Sequence, residues 1–129
     1  MGTWTDELAL GIAKIDEQHK KLLDNLDALR AEVRKGQGGK AALPTLRFLI
    51  DYAAGHFAEE ERLMEAHGYP DLPAHRALHA KFREDCERLQ SRLADENEAS
   101  KLSIDLCFRL TEWLHSHITK VDREMGRFL

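Results

Sequence analysis

A chain of 129 residues, 43% of them hydrophobic and 33% charged, is long enough to form one globular domain with its own core. Its net charge is −4 at pH 7 and the two signs are interspersed, which argues against a nucleic-acid-binding surface. No apolar run approaches the length of a membrane span, and residues 1–15 lack the pattern of a signal peptide. We therefore expect a cytoplasmic protein with neither a membrane nor a nucleic-acid partner.

The N-terminal segment and the first helix differ in the spacing of their apolar residues. Before position 15 these residues do not recur at helical intervals, which predicts an extended arm over residues 1–15. From about residue 17 to Lys35 they recur mostly at threes and fours, which predicts an amphipathic helix with Asp16 as its N-cap. The glycine-rich stretch 36–39 is predicted to end it. Its predicted inward positions are Ile15, Leu22, Leu26, Leu29 and Val33.

Three more amphipathic helices follow. They are predicted over about residues 41–67, with Pro44 in the first turn and Gly68 at the end, then 73–94 and 99–120, before a short segment 122–129. Their predicted core positions are Leu46, Leu49, Ile50, Ala53, Phe57, Leu63 and Met64; Leu78, Phe82, Cys86, Leu89 and Leu93; and Leu102, Leu106, Leu110, Trp113 and Leu114. Four helices with short connections predict an all-α, up-down-up-down four-helix bundle over about residues 16–121, in a single domain spanning 1–129.

Several polar residues fall on the inward faces of these helices. His56 and Glu60 are four residues apart, as are His75 and His79, so each pair lies on one helix face. His19 and His117 continue the inward faces of the first and fourth helices. A single inward histidine is usually a hydrogen-bonded core residue. Five of them on four converging faces, together with a buried glutamate that needs a cation, favour a metal site.

Asp122 is a seventh candidate whose spacing does not fit. It follows His117 by five residues, which on a straight α-helix turns it well away from the histidine face. Spacing alone therefore predicts a solvated residue at the end of the helix. Asp122 would come inward only if the helix ended or widened near residues 119–121, for example through a π-bulge.

The number of candidate ligands argues for two metal ions. Five imidazoles and two carboxylates exceed what one tetrahedral zinc ion binds. If both carboxylates bridge two ions, five nitrogens and four oxygens supply nine of the roughly twelve positions of two six-coordinate metals. A shared oxo or hydroxo group would occupy two more of them. One position would stay open for a small molecule.

Several ordered features of the chain match one known family. They are Gln18-His19, His56-Phe57-Ala58-Glu59-Glu60, Gly68-Tyr69-Pro70, His75 with His79, and His117-Ile118 followed by Asp122, with Trp4, Gly11-Ile12, Ile15-Asp16 and Trp113-Leu114 in support. In these features the chain resembles the bacterial hemerythrins over nearly its whole length. The resemblance implies an oxo- or hydroxo-bridged, non-haem di-iron centre that binds O2 reversibly, with small anions such as azide as competing ligands.

The resemblance also assigns roles to individual residues. One iron would be held by His75, His79 and His117, and the iron with the open position by His19 and His56, with Glu60 and Asp122 as bridges. It gives Asp122 the ligand role that spacing alone does not predict. Trp113 and Leu114, on the face of His117 and one turn before it, are expected to wall the O2 pocket.

Three classes of function remain open: O2 binding for storage, delivery or sensing; a di-iron enzyme that reduces peroxide or oxidises a small substrate; and an iron-holding protein. Five neutral imidazoles favour cycling between ferrous and ferric iron, and the sequence offers no dedicated acid to split an O–O bond. We therefore expect an O2-binding protein rather than an enzyme. The sequence leaves open which of the three O2-binding roles applies, the protein that receives the O2, the oligomeric state, and whether the chain is an excised domain.

Overall fold

The computed structural model describes residues 4–129, apart from the side chains at positions 96 and 97, and this part of the chain is helical without β-strands. The long helices are α1 (Ala13–Arg34), α2 (Gly38–Ala66), α3 (Leu72–Leu93) and α4 (Glu96–Ser116). A π-helical segment (His117–Asp122) continues α4 and leads into the short helix α5 (Arg123–Phe128). Because the connections 35–37, 67–71 and 94–95 are short, consecutive helices run antiparallel. The predicted all-α four-helix bundle is confirmed.

The N-terminal arm is tied to α1 by Asp16, although not as an N-cap. The helix begins at Ala13, inside the predicted arm, so the prediction that Asp16 caps it is wrong. The Asp16 carboxylate instead accepts hydrogen bonds from the backbone N–H groups of Leu10, at 2.8 Å, and Gly11, at 3.2 Å. From within the first turns of α1 it therefore reaches back and fixes the arm. Residues 1–3 of the predicted arm lie outside the described part of the chain.

Glycines mark the turns between helices. Gly36 and Gly68 have positive φ angles of 76° and 67°, and they follow α1 and α2 as predicted. However, α2 begins at Gly38, three residues before the predicted start. A Cβ at Gly38 would lie 2.5 Å from the Ser103 hydroxyl oxygen, so the absence of a side chain lets α2 begin directly against α4.

The core consists mainly of the residues that the sequence predicted. Leu78 is an exception, because its side chain is 42% exposed and its predicted inward position is wrong. The inward face of α3 is centred on His75, His79, Phe82 and Cys86, and position 78 lies about 100° around the helix from His79. The buried residues of the main core are Leu8, Leu22, Leu23, Leu26, Leu29, Ala42, Leu46, Leu49, Ala53, Phe57, Phe82, Cys86, Leu93, Ala99, Leu106, Cys107, Leu110, Leu114 and Ile118.

A second, smaller cluster closes the end of the bundle where the chain terminates. Met125 of α5 is fully buried and packs with Met64 and Tyr69. The Arg123 guanidinium donates a hydrogen bond to the backbone carbonyl of Glu7, which connects α5 to the arm. Both chain ends thus cover the same end of the bundle. Within the described residues, none of the helices is long and apolar enough to cross a membrane.

Candidate metal centre

Seven potential metal ligands meet inside the bundle, near the π-helical segment. They come from α1, α2, α3 and the π-helical segment, and each is almost completely buried. They are His19, His56, Glu60, His75, His79, His117 and Asp122. All seven were predicted as candidates from the sequence, and the structure brings them together. The two other histidines, His67 and His115, are exposed.

Three of the histidines form one group with the two carboxylates, which we call the three-histidine group. In it, the Nε2 atoms of His75 and His117 lie 3.0 and 3.2 Å from Asp122 Oδ1. The Nε2 atom of His79 lies 3.2 Å from Glu60 Oε1 and 3.2 Å from His117 Nε2. Donor atoms bound at right angles to one ion, at about 2.1 Å each, would be roughly 3 Å apart. The spacing in this group is therefore that of ligands around a single ion.

The remaining two histidines form the two-histidine group with the other oxygens of the same carboxylates. His19 Nε2 lies 3.1 Å from Asp122 Oδ2 and 3.3 Å from Glu60 Oε2. His56 Nε2 lies 3.3 Å from the same Glu60 oxygen. Each carboxylate thus presents one oxygen to each group. This division suits two ions that share both carboxylates, with three nitrogens on one side and two on the other.

The π-helical segment is what brings Asp122 into the centre. On an α-helix, a residue five positions after His117 would point about 140° away from it. The π-helical pattern of hydrogen bonds over five residues returns Asp122 to the face of His117, and its side chain is 0% exposed. The prediction from spacing alone, that Asp122 is solvated, is wrong. Its stated exception, a widening of the helix just before residue 122, is confirmed.

Eight polar atoms of the centre lack hydrogen-bond partners among the described residues. Both oxygens of Glu60 and Asp122 are buried without one, as are both ring nitrogens of His19 and His75. Within each of the two groups, the candidate ligand atoms lie within 4.8 Å of one another, close enough to contact one ion together. An unpaired carboxylate is costly to bury. A metal cation between these donors would remove that cost, so the residues present fit a metal centre.

Both carboxylates remain charged at neutral pH. Burial would raise the pKa of Asp122, but His117, His19 and His75 more than offset it and hold this pKa well below its usual value. Burial and the neighbouring Asp122 would likewise raise the pKa of Glu60, yet the histidines around it lower this pKa. Two carboxylates and five imidazoles are a donor set for divalent transition metals.

Two polar side chains hold histidines of the centre from outside. Gln18 Oε1 accepts a hydrogen bond of 2.7 Å from His56 Nδ1. Glu61 Oε2 lies 3.0 Å from His79 Nδ1, and its other oxygen accepts a hydrogen bond of 3.0 Å from Arg76 Nε. The sequence analysis gave neither Gln18 nor Glu61 a role. The signal that could have identified Glu61 is its position four residues after Phe57, on the helix face that contacts His79.

Aromatic rings cover the three-histidine group. Phe57 stacks on His79 with ring centroids 3.8 Å apart, and Trp113 stacks on His117 at 4.6 Å. Trp113, expected to wall a pocket, therefore lies against His117. Leu114, the other expected wall residue, is 4% exposed and belongs to the main core. These side chains keep the histidine rings away from solvent and fix their planes.

Metal binding is expected to release protons, since metal ligands must be deprotonated. In protein stripped of metal, burial lowers the pKa of His19, but the Asp122 and Glu60 carboxylates raise it to about 9. Below about pH 9, His19 is therefore a positively charged imidazolium, and it must lose one ring proton to bind a metal. Ferrous iron added anaerobically at pH 7 should release at least about one proton per chain, and its apparent affinity should rise about tenfold per pH unit up to pH 9.

A weakly buffered titration with a pH indicator would measure this release. Repeating the titration above pH 9 is the control, because the contribution of His19 should then disappear. A metal-binding step that releases no protons at pH 7 would show that His19 is not a ligand.

Comparisons with known proteins identify the family. A sequence model described as the hemerythrin HHE cation binding domain matches residues 10–129. Bacteriohemerythrin of Methylococcus capsulatus is 35% identical over 126 residues, which cover 96% of this chain and 93% of the relative. Bacteriohemerythrin of Clostridium acetobutylicum is 32% identical over 128 residues, 96% of this chain and 98% of the relative. A solved hemerythrin with a leucine-to-tyrosine substitution superposes with a TM-score of 0.78, at 31% identity, covering 97% of this chain and 94% of the other.

Proposed function

The chain belongs to the hemerythrin family, and on this premise we propose that it binds O2 reversibly at a non-haem centre of two iron ions. The observation that carries the proposal is the division of donors described above. Two groups of histidines share both carboxylates, and each carboxylate offers one oxygen to each group. A site for a single metal ion does not require two groups of histidines that share both carboxylates.

In this proposal each candidate ligand has a specific role. One iron would be held by His75, His79 and His117 and the other by His19 and His56, with Glu60 and Asp122 as bridges. Five nitrogens and four oxygens are more donors than one four-coordinate zinc ion binds. Around two six-coordinate irons they would leave positions for an oxo or hydroxo bridge. Because the two-histidine group has one nitrogen fewer, the open position belongs on its side. Small anions such as azide would compete with O2 there.

When bound as ferrous ions, the two irons supply the electrons that O2 takes up and returns. The chain would hold them close together and keep water and protons away from them. The buried ring of Phe57 stacks on His79 and the partly buried ring of Trp113 stacks on His117. Leu114 and Ile118, close to His117 in the chain, are buried. Such apolar surroundings favour reversible binding, because external protons would otherwise release the reduced oxygen irreversibly.

The buried polar residues favour a binding protein over an enzyme. Among the described residues, the buried polar side chains are the seven candidate ligands and Ser103. Ser103 donates a hydrogen bond to the Ser100 carbonyl. Both serines belong to α4 and lie against the start of α2, at the end of the bundle opposite the candidate ligands. Apart from the candidate ligands, no carboxylic acid or imidazole that could protonate an O–O bond is buried among the described residues. Storage, delivery and sensing would all use the same site.

Two measurements test the proposal directly. Elemental analysis of the purified protein is expected to find about two iron ions per chain, as the ligand count requires. The visible spectrum of the anaerobically reduced protein should change on exposure to air and return under argon for repeated cycles. One iron per chain, or zinc in protein made with ample iron, would contradict the di-iron site. A protein that does not release O2 but consumes peroxide over many turnovers would instead be an enzyme.

A further inference from the structure

We propose that Glu61 is a positioning residue for the metal centre, which fixes His79 and strengthens it as a donor to the iron of the three-histidine group. The inference rests on the proposed function, since it concerns a centre that holds iron. Glu61 is the last of three consecutive glutamates, and its spacing alone assigned it no role. The structure gives it a contact that a surface carboxylate does not need.

Glu61 is held at two points. One of its oxygens lies 3.0 Å from His79 Nδ1, and the other accepts a hydrogen bond of 3.0 Å from Arg76 Nε. A carboxylate only accepts hydrogen bonds, so the proton of this pair resides on His79 Nδ1. In the neutral ring this leaves Nε2 without a proton, so that Nε2, which lies 3.2 Å from a Glu60 oxygen inside the centre, can bind a metal. The contact with Glu61 thus selects the tautomer of His79 that a metal requires.

The ring plane of His79 is fixed by Phe57, which lies on α2 like Glu61. Phe57 lies one turn before Glu61 on α2 and stacks on the His79 ring with an interplanar angle of 5°. Phe57 sets the orientation of the ring plane, while Glu61 sets the direction of Nδ1 within that plane. Only 22% of the Glu61 side chain is exposed, so solvent weakens the contact only in part.

The two-histidine group has a neutral partner in the equivalent place. Gln18 accepts a hydrogen bond from His56 Nδ1 at 2.7 Å, with an uncharged amide oxygen. The Nδ1 atoms of His19 and His75 have no partner among the described residues. A carboxylate makes an imidazole a stronger donor than an amide does. The chain therefore supplies extra negative charge to the three-histidine group, which stabilises ferric over ferrous iron there.

The experiment compares three variants of the iron-loaded protein. Glu61→Gln keeps a hydrogen-bond acceptor but removes the charge, Gln18→Glu adds a charge at the equivalent contact, and Glu59→Gln is the matched control. Glu59 is also a paired carboxylate on α2, but it contacts Lys14 and Arg62 rather than a histidine. A redox titration gives the midpoint potential of each variant, and removal of ferrous iron by a chelator gives its affinity.

We expect Glu61→Gln to raise the midpoint potential and Gln18→Glu to lower it, with a smaller shift for Glu59→Gln. Truncation by Glu61→Ala, which removes the acceptor as well, should also weaken iron binding about 10- to 100-fold. A shift in Glu61→Gln no larger than that in Glu59→Gln would overturn the inference, since a distant charge would then explain it.

A further variant keeps the inference testable if Glu61→Gln does not load iron. Arg76→Gln removes the positive charge that pairs with Glu61, so the Glu61 carboxylate acts on His79 with less compensation and the potential should fall. An unchanged potential in Arg76→Gln would then count against the role of Glu61. The iron content of the unmodified protein tests the proposed function separately, since two irons with no effect of Glu61 would reject this inference alone.

Discussion

Replacement of Asp122 by alanine is expected to leave the purified protein with one iron ion per chain or none. Asp122 is fully buried, and its two oxygens face His19 on one side and His75 and His117 on the other. Its removal takes one donor from each group and leaves a gap that only solvent can fill. The loss of affinity should exceed the roughly 10- to 100-fold that follows removal of a hydrogen-bond partner of a ligand.

Iron analysis and magnetic coupling between the irons are the measurements for this variant. Asp105→Ala is a suitable control, because Asp105 is an exposed aspartate of α4 that pairs with Arg109 on the surface. The control should keep both irons. Unchanged iron content and unchanged coupling in Asp122→Ala would show that Asp122 is not a bridging ligand, despite its position.

Leu114→Ala is expected to keep two irons and to bind O2, but to convert to the inert diferric form faster than the unmodified protein. Leu114 is buried and lies one turn before His117 on α4. A smaller side chain there opens space for water, protons and anions near the centre without removing a ligand. Conversion should therefore accelerate further at low pH or with azide. The cavity should also lower the free energy of unfolding by about 2–5 kcal/mol.

The decay of the O2-bound spectrum measures this conversion. Leu110→Ala is the matched control, since Leu110 is also a buried leucine of α4 but lies one further turn from His117. It should lose similar stability, within the same range of about 2–5 kcal/mol, with little change in the conversion rate. Equal rates for Leu114→Ala and the unmodified protein would mean that other residues form the wall of the pocket.

The sequence predicted the helices and most of the core because periodic burial leaves a direct trace in the spacing of apolar residues. The same trace identified six of the seven residues of the centre, since residues four apart share a helix face. The spacing gave wrong or incomplete predictions where the backbone departs from a regular helix, or where several neighbouring polar residues could each take the same role. Asp16 has the chemistry of an N-cap but serves the arm from inside α1.

Glu61 shows the second limit of the sequence pattern. In a run of three glutamates, spacing separates the buried Glu60 from its neighbours. It also places Glu61, unlike Glu59, one turn after Phe57, but it does not show that this face of α2 meets His79. Glu59 bonds to cations on the surface, whereas Glu61 contacts His79 on another helix. Only the way in which α2 and α3 pack against each other decides between the two. The prediction for Leu78 was wrong for another reason: it lies about 100° around α3 from the inward His79, so an apolar residue next to an inward histidine need not itself face inward.

The π-helical segment sets the register of everything that follows it. If residues 117–122 instead formed a regular α-helix without losing a residue, the rest of the chain would turn by about 100°. Asp122 would then leave the centre, and the rotated Met125 would leave its cluster with Met64 and Tyr69. A deletion of one residue after Asp122 would restore the cluster but not the ligand, whereas a deletion between His117 and Asp122 would restore both, because residues four apart share a helix face. The π-helical turn, which accommodates the extra residue, therefore sets the helical register of both the candidate ligand and the packing cluster.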